Sequence, residues 1–198
     1  MASTTLKRIR DAKLPMGVLS ASIARDAASL IAGCMDGVYQ IDLNSNEFEK
    51  LYSHASYVSS SVWLPDGNQL ISAGYDCENK KEIRRKKVHQ FWSWDMAVSP
   101  DTKLIASVTG QYLAGGYKYE PKPESEPSVK IISRESGDVL HELSHVPSVQ
   151  AVAFSNDSRL VAAGNLMGEV RGWDCQSGDR VARFTTPDFT SLGIIKSH

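Results

Sequence analysis

The chain has 198 residues, with 22 Lys and Arg against 23 Asp and Glu, a formal net charge of -1, and 41% hydrophobic against 23% charged residues. That balance excludes a polybasic coat for nucleic acid or membrane surfaces and an acidic disordered tail. A chain of this length buries roughly 70% of its unfolded surface, as one domain or two small ones.

Residues 1–15 carry Lys7, Arg8, Arg10 and Lys13 without an apolar run, so they read as an N-terminal tail and not as a secretory signal. Every apolar run further on is broken by Ser, Gly or a charge, well short of the ~20 residues of a membrane-spanning helix. Cys34, Cys77 and Cys175 are widely spaced and odd in number. They support neither a disulfide framework nor a zinc knuckle, and a cytoplasmic location is expected.

From residue 16 onward the chain repeats itself. Asp26, Asp66, Asp101 and Asp157 each follow an apolar residue by three positions: Ile23, Trp63, Val98 and Phe154. Each Asp is followed by a β-type run: Leu30-Ile31-Ala32, Leu70-Ile71-Ser72, Leu104-Ile105-Ala106 and Leu160-Val161-Ala162. Between them lie Arg25-Asp26-Ala27, Pro65-Asp66-Gly67, Pro100-Asp101-Thr102 and Asn156-Asp157-Ser158, residues that pre-set or tolerate turn dihedrals. Units one, three and four continue into third strands over 38–41, 129–132 and 170–173, and fourth strands near 48–51, 139–143 and 181–184. Helical periodicity is missing, and four short strands per unit describe one blade of a β-propeller.

Three further features recur: a His before a first strand (His54, His89, His145), a Leu30-Ile31-Ala32-Gly33 type of second strand, and a third strand ending Trp173-Asp174. With the Pro-Asp-Gly-like turns, they make residues 16 to 186 resemble the WD-repeat β-propeller family. The resemblance implies an all-β fold of about four blades in an open or incomplete propeller, and a scaffold without an assigned reaction. The family's His, Ser or Thr, Asp and Trp tetrad survives only in pieces. His54, Ser72 and Asp76 stand in the second unit, His89 and Ser107 in the third, and His145 and Trp173 in the fourth.

The expected divisions are a tail at 1–15, blade one at 16–54, blade two at 55–89, blade three at 90–145, blade four at 146–186, and the start of a further blade at 187–198. Intervals between the anchor aspartates are 40, 35 and 56 residues, against about 40 to 45 for a regular blade. In unit two, only residues 75–81 separate Gly74 from a strand expected at 82–88, so its third strand is predicted to be missing or truncated. Unit three instead carries an insertion at 110–127 with three tyrosines, three glycines and three prolines, which reads as a loop.

Candidate chemistry is thin. The histidines fall in different units without metal-ligand spacing, no G-x-S-x-G marks a nucleophile, and Gly115-Gly116 opens no helix that could cradle phosphate. Ser59-Ser60-Ser61 reads as a strand whose hydroxyls pack or pair. The innermost strands of units one, two and four read Val18-Leu19-Ser20, Tyr57-Val58-Ser59 and Val149-Gln150-Ala151, which argues against a propeller enzyme with a central-channel site. Lys80, Lys81, Arg84, Arg85, Lys86 and Lys87 could form an anionic-ligand or RNA patch, but basic residues on an outer strand more simply blunt its edge. No catalytic residue, metal or cofactor is implied.

The aromatics carry more. Loops from fourth to first strands and from second to third strands share one rim of a propeller. There the sequence places Tyr57, Tyr75, Phe91, Trp92, Tyr112, Tyr117 and Tyr119, with Asp76, Gln90 and Gln111 beside them and Lys118 and Phe189 nearby. Trp94 belongs to the same set unless it folds inward. Trp and Tyr next to polar groups are the usual anchors of protein interfaces. The expected function is a non-catalytic scaffold that binds a protein or peptide across this rim, with membrane and nucleic acid disfavoured. Alternatives are the basic-stretch binder, the propeller enzyme and a truncated fragment without activity. Exposed end blades are also expected to let chains self-associate.

Overall fold

Alternating apolar and small polar residues, punctuated by turn formers, fold as paired strands. The computed structural model describes residues 13–24, 27–54, 57–64, 69–74, 87–89, 93–110, 127–145, 149–166 and 168–185. Among these the secondary structure is all β, in four antiparallel sheets. The first runs β1 (Val18–Ile23), β2 (Ser29–Cys34), β3 (Gly37–Asp42), β4 (Phe48–Ser53) in chain order, and the second pairs β5 (Val58–Trp63) with β6 (Leu70–Gly74). The third contains β7 (Ser93–Val98), β8 (Leu104–Thr109), β9 (Val129–Ser133) and β10 (Val139–Leu143). The fourth contains β11 (Val149–Phe154), β12 (Leu160–Asn165), β13 (Glu169–Asp174) and β14 (Arg180–Thr185). The expectation of an all-β incomplete propeller of four WD-like blades therefore holds. The short second unit at 75–86 and most of the insertion at 110–127 lie outside the described residues. Of the strand expected at 82–88, only Lys87 and Val88 are described, and neither is in a strand.

The anchor aspartates earn their place in the first turns. Asp101 Oδ1 accepts from Ser99 Oγ at 2.6 Å and Lys103 N at 3.1 Å, and Asp157 repeats this with Ser155 Oγ at 2.5 Å and Arg159 N at 3.1 Å. The serine hydroxyls lead in holding both carboxyls below their ordinary range. The residue after each described anchor turns left-handed: Thr102 at φ 64° and Ser158 at φ 61°. Second turns use Asp42 and Asp174 alike, each accepting two backbone N–H bonds through Oδ1.

Every first strand carries a bulge against its second strand, at Val18/Ser20, Val58/Ser60, Ser93/Asp95 and Val149/Ala151. A bulge adds local twist, which suits the innermost strand of a blade. These strands pack in series, β1 on β5, β5 on β7 and β7 on β11, so each blade has a leading face toward the next and a trailing face toward the previous one. Ile31, Val38 and Val58 fill the first junction. Ala106, Val108, Val129 and Ile131 of blade three meet Val149, Val152, Val161 and Trp173 of blade four in the largest cluster. The junction between blades two and three is polar: Ser59 Oγ donates to Ser93 O at 2.6 Å, and Ser60 Oγ donates to Asp95 Oδ1 at 3.3 Å.

Self-association was expected from both end blades, yet the two ends differ. On the trailing face of blade one, Ala32, Cys34, Tyr39 and Ile41 are buried with Leu14 packed against them, while Ile23 of β1 and Phe48 of β4 are exposed at its two edges. On the leading face of blade four, Ala162, Val170 and Phe184 are exposed among the described residues.

Candidate partner-binding rim

Bulged starts of β1, β5, β7 and β11 and the ends of β2, β6, β8 and β12 converge on one rim. Of the predicted rim residues Tyr57 is described, and it is 42% exposed just before β5. Tyr75, Asp76, Gln90, Phe91, Trp92, Gln111, Tyr112, Tyr117 and Tyr119 lie outside the described residues, as do Lys118, Phe189 and the basic stretch except for exposed Lys87. Trp94 folds inward: it sits at the β7 bulge, packs on the large apolar cluster and donates Nε1–H to Gly110 O at 2.9 Å.

Beside Tyr57 the described rim exposes Met16, Val18, Met35 and Leu166. The Met35 amide donates to Gly17 O at 3.2 Å, which seats Met35 in the tight turn between β2 and β3 next to Met16 and Val18. These methionines carry no aromatic signal in the sequence, but their unbranched, polarizable side chains suit adaptable contact surfaces.

Tetrad remnants occupy equivalent places. His54 Nε2 meets Ser72 Oγ at 3.0 Å, and His89 Nε2 meets Ser107 Oγ at 3.0 Å. In blade four Ala163 has no hydroxyl, so His145 Nε2 turns to the Ala163 carbonyl at 3.1 Å, with the Trp173 ring 5.9 Å away. All three imidazoles are buried and tie a rim loop to the second strand of a blade. Burial, followed by the Lys130 charge, pulls His89 down to about 4, so the ring is neutral near pH 7. Among the described residues no group of three or more His, Cys, Asp or Glu could hold a metal ion.

Charges near the rim are also spent on structure. Burial disfavours the charge on Asp36, but bonds from Lys50 Nζ at 2.7 Å and Tyr39 Oη at 2.9 Å outweigh it and keep the carboxyl below its ordinary range. At the matching strand positions Lys130 pairs with Glu142 at 3.0 Å, and Arg171 and Arg183 both bind buried Glu169. Glu169 is likewise held below its ordinary range, because its two arginines overcome the cost of burial.

One carboxylate escaped the sequence reading. Asp95, on the innermost strand of blade three, takes Ser60 Oγ and its neighbour Met96 N on Oδ1, and Val152 N at 3.0 Å on Oδ2. It joins blades two, three and four. The signal was available: aligned bulges put Ser20, Ser60, Asp95 and Ala151 at one position. Ser20 Oγ meets Ser61 Oγ of the next blade at 3.2 Å, and Ser60 Oγ also reaches Met96 O at 3.4 Å, so three successive blades pass a polar tie forward from this position.

Comparison with known proteins agrees with this architecture. Residues 46–78 match the WD domain, G-beta repeat family. The match spans β4, β5 and β6, where His54, Ser72 and Asp76 keep the most complete set of tetrad residues. The chain is 25% identical over 179 residues to telomerase protein component 1 of Rattus norvegicus, covering 84% of this chain and 6% of that protein. It is 27% identical over 168 residues to the meiotic recombination protein rec14 of Schizosaccharomyces pombe, covering 77% of this chain and 50% of that protein. It thus spans at most half the length of these curated relatives. Among the described residues no helix is long and apolar enough to cross a membrane. The chain carries a WD repeat on a WD-like incomplete propeller, and WD repeats generally mediate protein interactions.

Proposed function

We propose that this WD-repeat chain is a non-catalytic scaffold that binds a protein or peptide across the rim carrying Tyr57. The observation that carries the reading is an imbalance at that rim. Met16, Val18, Met35, Tyr57 and Leu166 are exposed apolar or aromatic side chains, while the neighbouring His, Ser, Asp and Glu side chains are committed to bonds within and between blades. Apolar and aromatic anchors supply affinity in such interfaces, and polar neighbours supply specificity. Tyr75, Phe91, Trp92, Tyr112, Tyr117 and Tyr119 extend the anchors in this reading, with Asp76, Gln90, Gln111 and Lys118 as polar neighbours. One relative is by name a component of telomerase, which agrees with a part played inside an assembly.

The test is affinity capture with the intact chain, a Tyr57→Ala plus Met35→Ala variant, and a Trp92→Ala plus Tyr117→Ala variant. The rim reading expects partners to be lost in one or both variants at unchanged thermal stability. Identical partner sets for all three proteins would refute it. Binding that weakens steeply with salt and vanishes on neutralising Arg84 and Arg85 would instead favour the anionic-ligand reading.

A further inference from the structure

We infer that residues 13–17 form a strap over the trailing face of blade one, that Met35 clasps it, and that oxidation of the Met35 thioether releases it. On this face the register pairs Ala32 with Tyr39 and Leu30 with Ile41, and at the corresponding positions of blade four it pairs Ala163 with Arg171 and Val161 with Trp173. Blade four hides Val161, Ala163 and Trp173 against blade three. Blade one hides its own set just as fully: Ala32 is 1%, Tyr39 4% and Ile41 4% exposed, and Cys34 beside them is 0% exposed. Among the described residues, the side chain laid on this cluster from outside β1 to β4 is Leu14. Its neighbours Lys13, Pro15, Met16 and Gly17 are exposed, so the strap holds the face through one inward residue.

Two contacts fasten the strap, and both come from Met35 in the turn after β2. The Met35 amide donates to Gly17 O at 3.2 Å. The Met35 side chain lies over Gly17 itself: a Cβ there would stand 3.1 Å from Met35 Sδ and 3.6 Å from its Cγ, so glycine leaves the room that the thioether occupies. A single long hydrogen bond and a thioether contact each hold weakly, which puts the strap among the first parts of the chain to open. Opening uncovers Ala32, Tyr39, Ile41 and the Cys34 thiol together.

The clasp is also the part that a peroxide reaches. Met35 is 37% exposed, whereas Met96 in blade three is 7% exposed. Hydrogen peroxide transfers one oxygen atom to the Met35 sulfur, which is oxidised to the sulfoxide while the peroxide is reduced to water. The added oxygen makes the side chain polar and bulkier in a seat that has no spare room above Gly17. The side chain then turns to water and the strap loses its clasp, until a methionine sulfoxide reductase restores the thioether. While the strap is closed Cys34 is inert, because it is buried and because burial, followed by the Asp36 charge, pushes its thiol up, away from the reactive thiolate. Cys34 therefore reports whether the strap is open.

The test is the rate at which N-ethylmaleimide labels Cys34 in the full chain, read by peptide mapping, with buried Cys175 as the internal control for global unfolding. Leu14→Asp and, separately, Met35→Gln should each speed Cys34 labelling about tenfold, the size of one lost side-chain contact, and leave Cys175 unchanged. Met35→Leu should label like the parent. Hydrogen peroxide, removed with catalase before labelling, should add one oxygen to Met35 ahead of Met96 and speed Cys34 labelling in the parent but not in Met35→Leu. Treatment with methionine sulfoxide reductase should slow it again. Labelling of Cys34 that is indifferent to Leu14→Asp would overturn the strap. Acceleration by Leu14→Asp but not by Met35→Gln or peroxide would overturn the clasp. Cys34 and Cys175 accelerating together would mean that the chain unfolds as a whole, which also sinks the inference. None of this rests on the rim reading: Cys34 labelling is read without a partner, so its outcome stands whether or not partner capture is lost.

Discussion

His89 shows how a single side chain reports its surroundings. Its ring is buried, Nε2 is engaged by Ser107 Oγ, and Nδ1 is buried without a partner. The folded-state value of about 4 lies below the ordinary 6.5, so between those pH values the unfolded chain binds the proton and the folded chain does not. Stability therefore falls as the pH drops from 6.5 toward 4, by up to about 3 kcal/mol at full effect. Urea unfolding at pH 7.5 and pH 4.5 should show a smaller loss for His89→Gln than for the parent. An equal loss in both proteins would mean that the ring titrates normally. His145 has lost its hydroxyl partner to Ala163 and keeps its place through the carbonyl instead, so a degenerate tetrad still fixes the rim loop to β12.

At the scale of the element, one position in the second strands of blades one and four meets opposite fates. Gly33 of β2 lies under β5, where Val58 Cγ1 and Val58 O stand 2.9 and 3.1 Å from a hypothetical Cβ, while at Gly164 of β12 the Cβ would meet Val170 Cγ2 at an ordinary 3.7 Å. Gly33→Ala must displace the Ser20 hydroxyl and Val58 Cγ1 and crowd the Val58 carbonyl, and should cost about 1–3 kcal/mol. Gly164→Ala meets no such obstacle and should be neutral or stabilising by up to about 1 kcal/mol, because alanine loses less backbone entropy on folding. Thermal unfolding of both variants at low protein concentration measures the difference, and equal destabilisation would remove the distinction between the two faces. The strands themselves were readable in the sequence, since alternation and Asp-centred turns are local signals. The two-residue turn at Met35-Asp36 and its exposed methionine were missed, because no rule of local propensity marks a methionine as exposed.

For the whole molecule, the junctions decide what holds the arc together. Blades three and four share an apolar cluster, whereas blades two and three depend on hydroxyls and on Asp95. Replacing Asp95 with Ala strands the Val152 amide and removes the acceptor of Ser60, at about 1–3 kcal/mol. Since the same carboxylate spans three blades, its loss should also lower the urea m-value as blades unfold less cooperatively. Asp95→Asn keeps one acceptor and should fall between parent and Ala variant. An unchanged m-value and midpoint for Asp95→Ala would show the bridge to be dispensable.

The sequence by itself determined the class of fold, the four-fold repeat, and the positions of the strands and turns of the first, third and fourth units. These follow from period-two alternation and from turn chemistry acting over a few residues, which any window of the chain displays. It did not determine which polar side chains would be consumed at blade junctions, or that Trp94 would turn inward. Those outcomes depend on residues about 16 to 57 positions apart meeting at a bulge or across a sheet face. Chain packing alone brings such pairs together.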